Sequence, residues 1–83
     1  MVLPLTDREI AIINIAFACG NLESNLNEEL LRGNILPGEH ERYIHQIFLI
    51  QRNLRMGLIE EARAEIEKTL SEFNSILSGE NNE

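Results

Sequence analysis

Residues 10–22 read IAIINIAFACGNL, and the way this stretch is enclosed decides the fold. At 3.6 residues per turn, Ile10, Ile13 and Phe17 fall on one side of a helix, and Ile12, Ile15, Cys19 and Leu22 fall on the other. Asn14 is the only strongly polar side chain before Gly20. An ordinary surface helix carries one apolar stripe, whereas a helix that is apolar on both sides needs cover on both. In a chain of 83 residues, two further helices cover one broad side. The other side is left for a second copy or for a different protein.

Length and composition frame that reading. A domain of this size buries only about 60% of the surface its unfolded chain exposes, so its stability is marginal. Hydrophobic residues make up 43% and charged residues 25%, with no Trp, which is the balance of a globular and not a disordered chain. Abundant Leu, Glu, Ala and Arg favour helix. Seven basic residues against 14 acidic ones give a net charge of −7. Nucleic-acid affinity comes from Lys and Arg displacing counterions, and anionic membrane surfaces attract the same residues, so neither is an expected partner. The lone Cys19 excludes an internal disulfide and fits a cytoplasmic location. The apolar opening is not expected to be a secretory signal, because it lacks a basic start and Asp7, Arg8 and Glu9 interrupt it, and the second apolar run of about ten residues is too short to span a bilayer.

Going outward from residues 10–22, Thr6 and Glu9 have the spacing of a capping box, with Leu5 and Ile10 placed as a hydrophobic staple. The first helix is expected from Asp7. Beyond Leu22 its pattern becomes one-sided, with Leu22, Leu26 and Leu30 on one stripe, and Arg32-Gly33 reads as its end. Gly20 marks the change of regime, either as a close-packing point or as a bend. NILPG, residues 34–38, is the convincing loop, with Ile35 and Leu36 expected to pack down. A second helix over residues 39–56 carries Tyr43, Ile47, Ile50 and Leu54 as its core stripe, flanked by Ile44 and Phe48. Its middle turn, IFLI, is wider than one neighbour requires. Gly57 followed by an apolar residue reads as a helix-ending turn, although the apolar phase also runs straight through it. The third helix, from Leu58 or Ile59 to Leu77, places Ile59, Ala62, Ile66, Thr69, Leu70, Phe73 and Leu77 on its core stripe. The expected fold is all-α: a small antiparallel three-helix bundle over residues 1–78, oligomeric, with a frayed acidic tail at 79–83.

The stretch NLRMGLIEEARAEIEKTLSEF resembles the second part of a tetratricopeptide repeat through Gly57, Glu61, Ala62, Thr69 and Leu70, with Leu49 matching in the preceding helix. Ile50, Gln46 and the lack of a proline after Phe73 depart from that pattern. One copy of about 32 residues falls short of the three repeats an array needs, so the resemblance implies no more than a helical hairpin. The layout is also similar, in shape and without a shared motif, to small helical co-chaperones of bacterial type III secretion.

Residues that could carry chemistry do not assemble. His40 and His45 are five apart, about 140° around a helix, where zinc-binding pairs need four. The carboxylates lie on polar faces, away from any apolar stripe that would shift a pKa, and Cys19 has no basic sequence neighbour. No enzyme activity, metal or cofactor is expected. The expected function is protein binding by a small helical adaptor, co-chaperone or regulator. Its expected interface is Ile10, Ile12, Ile13, Asn14, Ile15, Phe17, Gly20, Phe48 and Leu49, used as a homodimer or in an obligate hetero-complex. Asn14 either sets register when buried or lies on an exposed strip. The alternative is an acidic inhibitor, for example phage-encoded, that blocks a nucleic-acid-binding enzyme with Glu60, Glu61, Glu65 and Glu67.

Overall fold

Helix α1 begins where Thr6 and Glu9 exchange hydrogen bonds. In the computed structural model, which describes residues 4–78, the Glu9 amide donates to Thr6 Oγ1 at 3.1 Å and the Thr6 amide donates to Glu9 Oε1 at 2.8 Å. The expected capping box is therefore present, and it serves two amides that a helix start otherwise leaves unpaired. α1 spans Asp7–Leu31 and passes through Gly20 without interruption.

Gly33 ends it at φ 78°. The Gly33 amide donates to the Leu30 carbonyl at 3.0 Å and the Asn34 amide to the Glu29 carbonyl at 2.9 Å, the paired bonds of a Schellman motif. The apolar contact that usually accompanies this motif is replaced by Asn34 Nδ2 donating to Glu29 Oε1 at 2.7 Å.

Helix α2 spans Pro37–Arg55, starting two residues earlier than the sequence suggested. Pro37 takes the first helical position, where a missing N–H is harmless and a fixed φ suits the helix. Leu36 before it stays extended at φ −81°, ψ 152°, and its amide donates to Glu39 Oε1 at 2.9 Å. Gly57, at φ 80°, closes α2 with a second Schellman pair: Gly57 amide to Leu54 carbonyl at 3.1 Å and Leu58 amide to Asn53 carbonyl at 2.8 Å. Helices two and three are thus separate, and α3 spans Ile59–Ser78. The 79–83 tail lies outside the described residues, among which the chain is all-helical with short turns and no strand.

The core is built from Ile15, Cys19, Leu22 and Leu26 of α1, Tyr43, Ile47 and Ile50 of α2, and Ile59, Ala62, Ile66 and Phe73 of α3. The Tyr43 and Phe73 rings meet edge to face at 5.9 Å and 71°, a geometry worth about 0.5–1.5 kcal/mol beyond burial. Thr69 is buried among them, and its hydroxyl donates to the Glu65 carbonyl at 2.8 Å. Two expected packing positions differ: Leu36 points out although Ile35 beside it is buried, and Leu77 is exposed while Ile76 packs against the core. Leu30, Leu54 and Leu70 are half-buried against the core. Two contacts fix the level of α1 against α2. His40 Nε2 pairs with Asn27 Oδ1 at 2.7 Å near one end, and the Arg8 guanidinium lies beside Gly57 at the other.

Candidate protein-interaction surface

The two apolar sides of α1 have different fates. The side of Ile15, Cys19, Leu22 and Leu26 is sealed in the core, whereas Ile10 and Ile13 remain 43% and 44% exposed and Phe17 70% exposed. Ile13, Phe17, Gly20, Ser24 and Leu31 continue one another at helical spacing, and all five are exposed. Leu31, at 88% exposure, extends this outer face by two turns. Sequence reasoning missed Leu31, although carrying the 3.6-residue phase from Phe17 through Ser24 reaches it.

The nine expected interface residues do not form one patch. Ile10, Ile13, Phe17 and Gly20 share the outer face of α1. Ile15, 4% exposed, belongs to the core, and Ile12 is half-buried against it. Both turn inward because they share the helical phase of Cys19, Leu22 and Leu26. Asn14 is exposed and lines the shallow groove between α1 and α3 with Ala11, Ala18, Ile66 and Leu70. Nothing lies within 4 Å of a Cβ built on Gly20, so its close-packing role is not served inside this chain. Phe48 is exposed. It lies four residues beyond Ile44 and eight beyond His40, on the flank of α2 turned toward α1. Leu49, about 100° further round, lies on the opposite flank, shared with Arg42. That flank adjoins α3, because Arg42 and Tyr43 border a groove with Glu72 and Ile76.

The acidic residues of α3 divide in the same way. Seven residues separate Glu60 from Glu67, which puts them on one flank, while Glu61 and Glu65 sit together about 100–160° away. Glu67 lines the α1–α3 groove, Glu65 is half-buried, and Glu60 is paired with Arg63 at 3.5 Å.

Cys19, Tyr43 and His40 are enclosed or paired, whereas His45 is exposed. Burial, and secondarily the charge of Glu23, pushes the Cys19 thiol above its ordinary 9.0, which leaves an enclosed neutral sulfur. Burial likewise raises the Tyr43 phenol above 10.0, against the opposing pull of Arg42. Arg42 lies over the ring at 4.8 Å from its centroid and donates to the phenol oxygen at 3.2 Å. His40 is held by Asn27. Among the described residues no three His, Cys, Asp or Glu side chains converge as metal ligands would, and no helix is long and apolar enough to cross a membrane. No family model, curated protein or solved structure matches the chain, so the tetratricopeptide-like spacing around Gly57 gains no second line of support.

Proposed function

We propose that this chain is a non-enzymatic protein-interaction module: an antiparallel three-helix bundle that binds protein through the outer face of α1. It acts as an adaptor, co-chaperone or regulator, as a homodimer or in an obligate hetero-complex, and the unpaired Cys19 suits the cytoplasm. The observation that carries the reading is Phe17, 70% exposed beside Ile10 and Ile13 on the side of α1 away from its own core. Full burial of such a side chain from full exposure contributes about 1.5–3 kcal/mol, of which Phe17 still holds the larger part and Ile10 and Ile13 a little under half, and a contiguous patch of this kind marks an interaction site. The antiparallel arrangement rests on Asn27 meeting His40 at one end of the α1–α2 pair and Arg8 meeting Gly57 at the other. The acidic-inhibitor alternative draws less support, since Glu60 and Glu67 lie on a different flank of α3 from Glu61 and Glu65.

Sedimentation velocity tests the reading on the wild-type chain and on a variant with Ile13→Asp and Phe17→Asp. The wild type is expected to sediment as a complex with itself or with a co-purifying protein, and the variant as a lone, equally helical chain. A non-aggregating wild-type monomer that retains no partner would sink the proposal.

A further inference from the structure

We propose that the occupant of the α1 outer face is α1 of a second copy, lying antiparallel to it across a two-fold axis so that each Phe17 ring fills the gap over Gly20 of the other copy. This rests on the interaction reading above and names its partner.

The first argument is shape. Along the outer face, Ile10, Ile13 and Phe17 are bulky, the next two positions, Gly20 and Ser24, are small, and Leu31 is bulky again at the far end. In an isologous contact residue i meets j and j meets i. An antiparallel register in which i and j sum to 37 sets Phe17 against Gly20, Ile13 against Ser24 and Thr6 against Leu31, large against small each time. A parallel register would stack Phe17 on Phe17 and leave Gly20 facing Gly20 across a void. The space above Gly20 is open in the single chain, with no atom beyond its chain neighbours and the adjoining helix backbone within 4 Å of a built Cβ. Phe17 lies about 4.5 Å along the axis from it on the same face.

The second argument is area. The exposed parts of Ile10, Ile13, Phe17 and Leu31 amount to roughly 450 Å², taking a little under 200 Å² for a fully exposed large side chain. A standard interface buries about 800 Å² per partner, of which about 57% is non-polar. The outer face therefore supplies the apolar share that a stable dimer needs.

The third argument is charge. Between Ile10 and Asn27 the only charged residue is Glu23, which stands four residues from both Cys19 and Asn27, on the flank turned toward α2. A basic partner for this chain of charge −7 would be met by acids, and this strip offers none. Two copies, by contrast, meet along it without opposing like charges.

The test is sedimentation equilibrium on the full chain and three variants, with far-UV circular dichroism to verify helix content. Gly20→Phe has open space in the single chain, so it leaves the fold intact while filling the gap. It is expected to weaken the dimer about tenfold or more. Phe17→Ala is expected to weaken it comparably. The double variant Phe17→Ala with Gly20→Phe recreates the same contact with the roles exchanged, and it is expected to recover to within about threefold of wild type. A wild-type dimer indifferent to Gly20→Phe, or a double variant no better than either single one, would overturn the register. A wild type monomeric at about 100 μM would overturn the second copy as occupant. A monomer holding another protein in a manner lost with Phe17→Asp would do the same while leaving the broader interaction reading standing.

Discussion

Gly20 and Gly57 show how one residue type serves opposite ends. Gly57 sits at φ 80°, where a Cβ is strained, and Arg8 Nη2 would lie 3.1 Å from that atom. Gly57→Ala is expected to cost about 1–2 kcal/mol. Gly20 lies inside α1 with no strain and no neighbour, so Gly20→Ala should stabilise the isolated chain by about 0.5–1 kcal/mol. Urea unfolding at concentrations below self-association reads both signs, and a destabilised Gly20→Ala chain would show that the gap is used within the fold. Tyr43 and Cys19 supply a second residue-scale expectation. Burial favours the neutral form of each, so below pH 9.0 both are protonated whether folded or not, and their contribution to stability is complete. Above that pH the unfolded chain releases the thiol proton first, and above 10.0 the phenol proton, while the folded chain still holds both. Stability therefore falls as pH rises through this range. Urea midpoints from about pH 8 to 11 should fall less steeply in a chain carrying Cys19→Ala and Tyr43→Phe, and an unchanged slope would refute the assignment.

At the scale of elements, each helix is delimited by a few side chains whose chemistry is local. Thr6 and Glu9 start α1. The Glu9 carboxyl is held below its ordinary value chiefly by the hydrogen bond from the Thr6 amide. Thr6→Ala is expected to lower stability by about 1 kcal/mol and to speed hydrogen exchange first in the opening turn, while the amides around Leu22 and Leu26 keep their protection. Uniform loss along α1 would mean that the cap acts through something else. This locality explains which parts of the architecture were legible in the sequence. The capping box, the glycine ends at 33 and 57 and the three core stripes depend on neighbours within one turn. Pro37 was misplaced into the loop because proline both ends extended segments and opens helices, and only the chain direction after Leu36 distinguishes the two. The exposed apolar face of α1 was half legible for a different reason. α1 is apolar on two sides, and its own sequence between Ile10 and Cys19 does not say which side the rest of the chain covers. The decision comes from continuation: Ile15 and Cys19 run on into Leu22 and Leu26, whereas Ile13 and Phe17 run on into Gly20 and Ser24. Ile12 and Ile15 therefore turn toward the core, and Leu31 lies on the exposed face.

At the scale of the whole molecule, the apolar outer face of α1 lies on a body that repels its own kind. Each chain carries −7, and the acids lie on flanks and ends, outside the uncharged strip from Ile10 to Leu22. Two copies joined along α1 would bring those charges within range of one another while gaining no opposite-charge pairs in the seam. Salt shortens the reach of that repulsion from about 10 Å at 0.1 M to about 3 Å at 1 M, and it leaves the burial of Phe17 and its neighbours intact. Self-association should therefore tighten as salt rises, roughly threefold or more between about 0.05 and 0.5 M sodium chloride. An acidic face docking on a basic enzyme obeys the reverse rule, because screening removes the attraction that holds it. The sign of the salt dependence thus separates an apolar seam from an acidic one before any residue is changed. Sedimentation equilibrium across the salt series measures it, and association that weakens with salt would place the contact among the carboxylates of α3, away from Phe17.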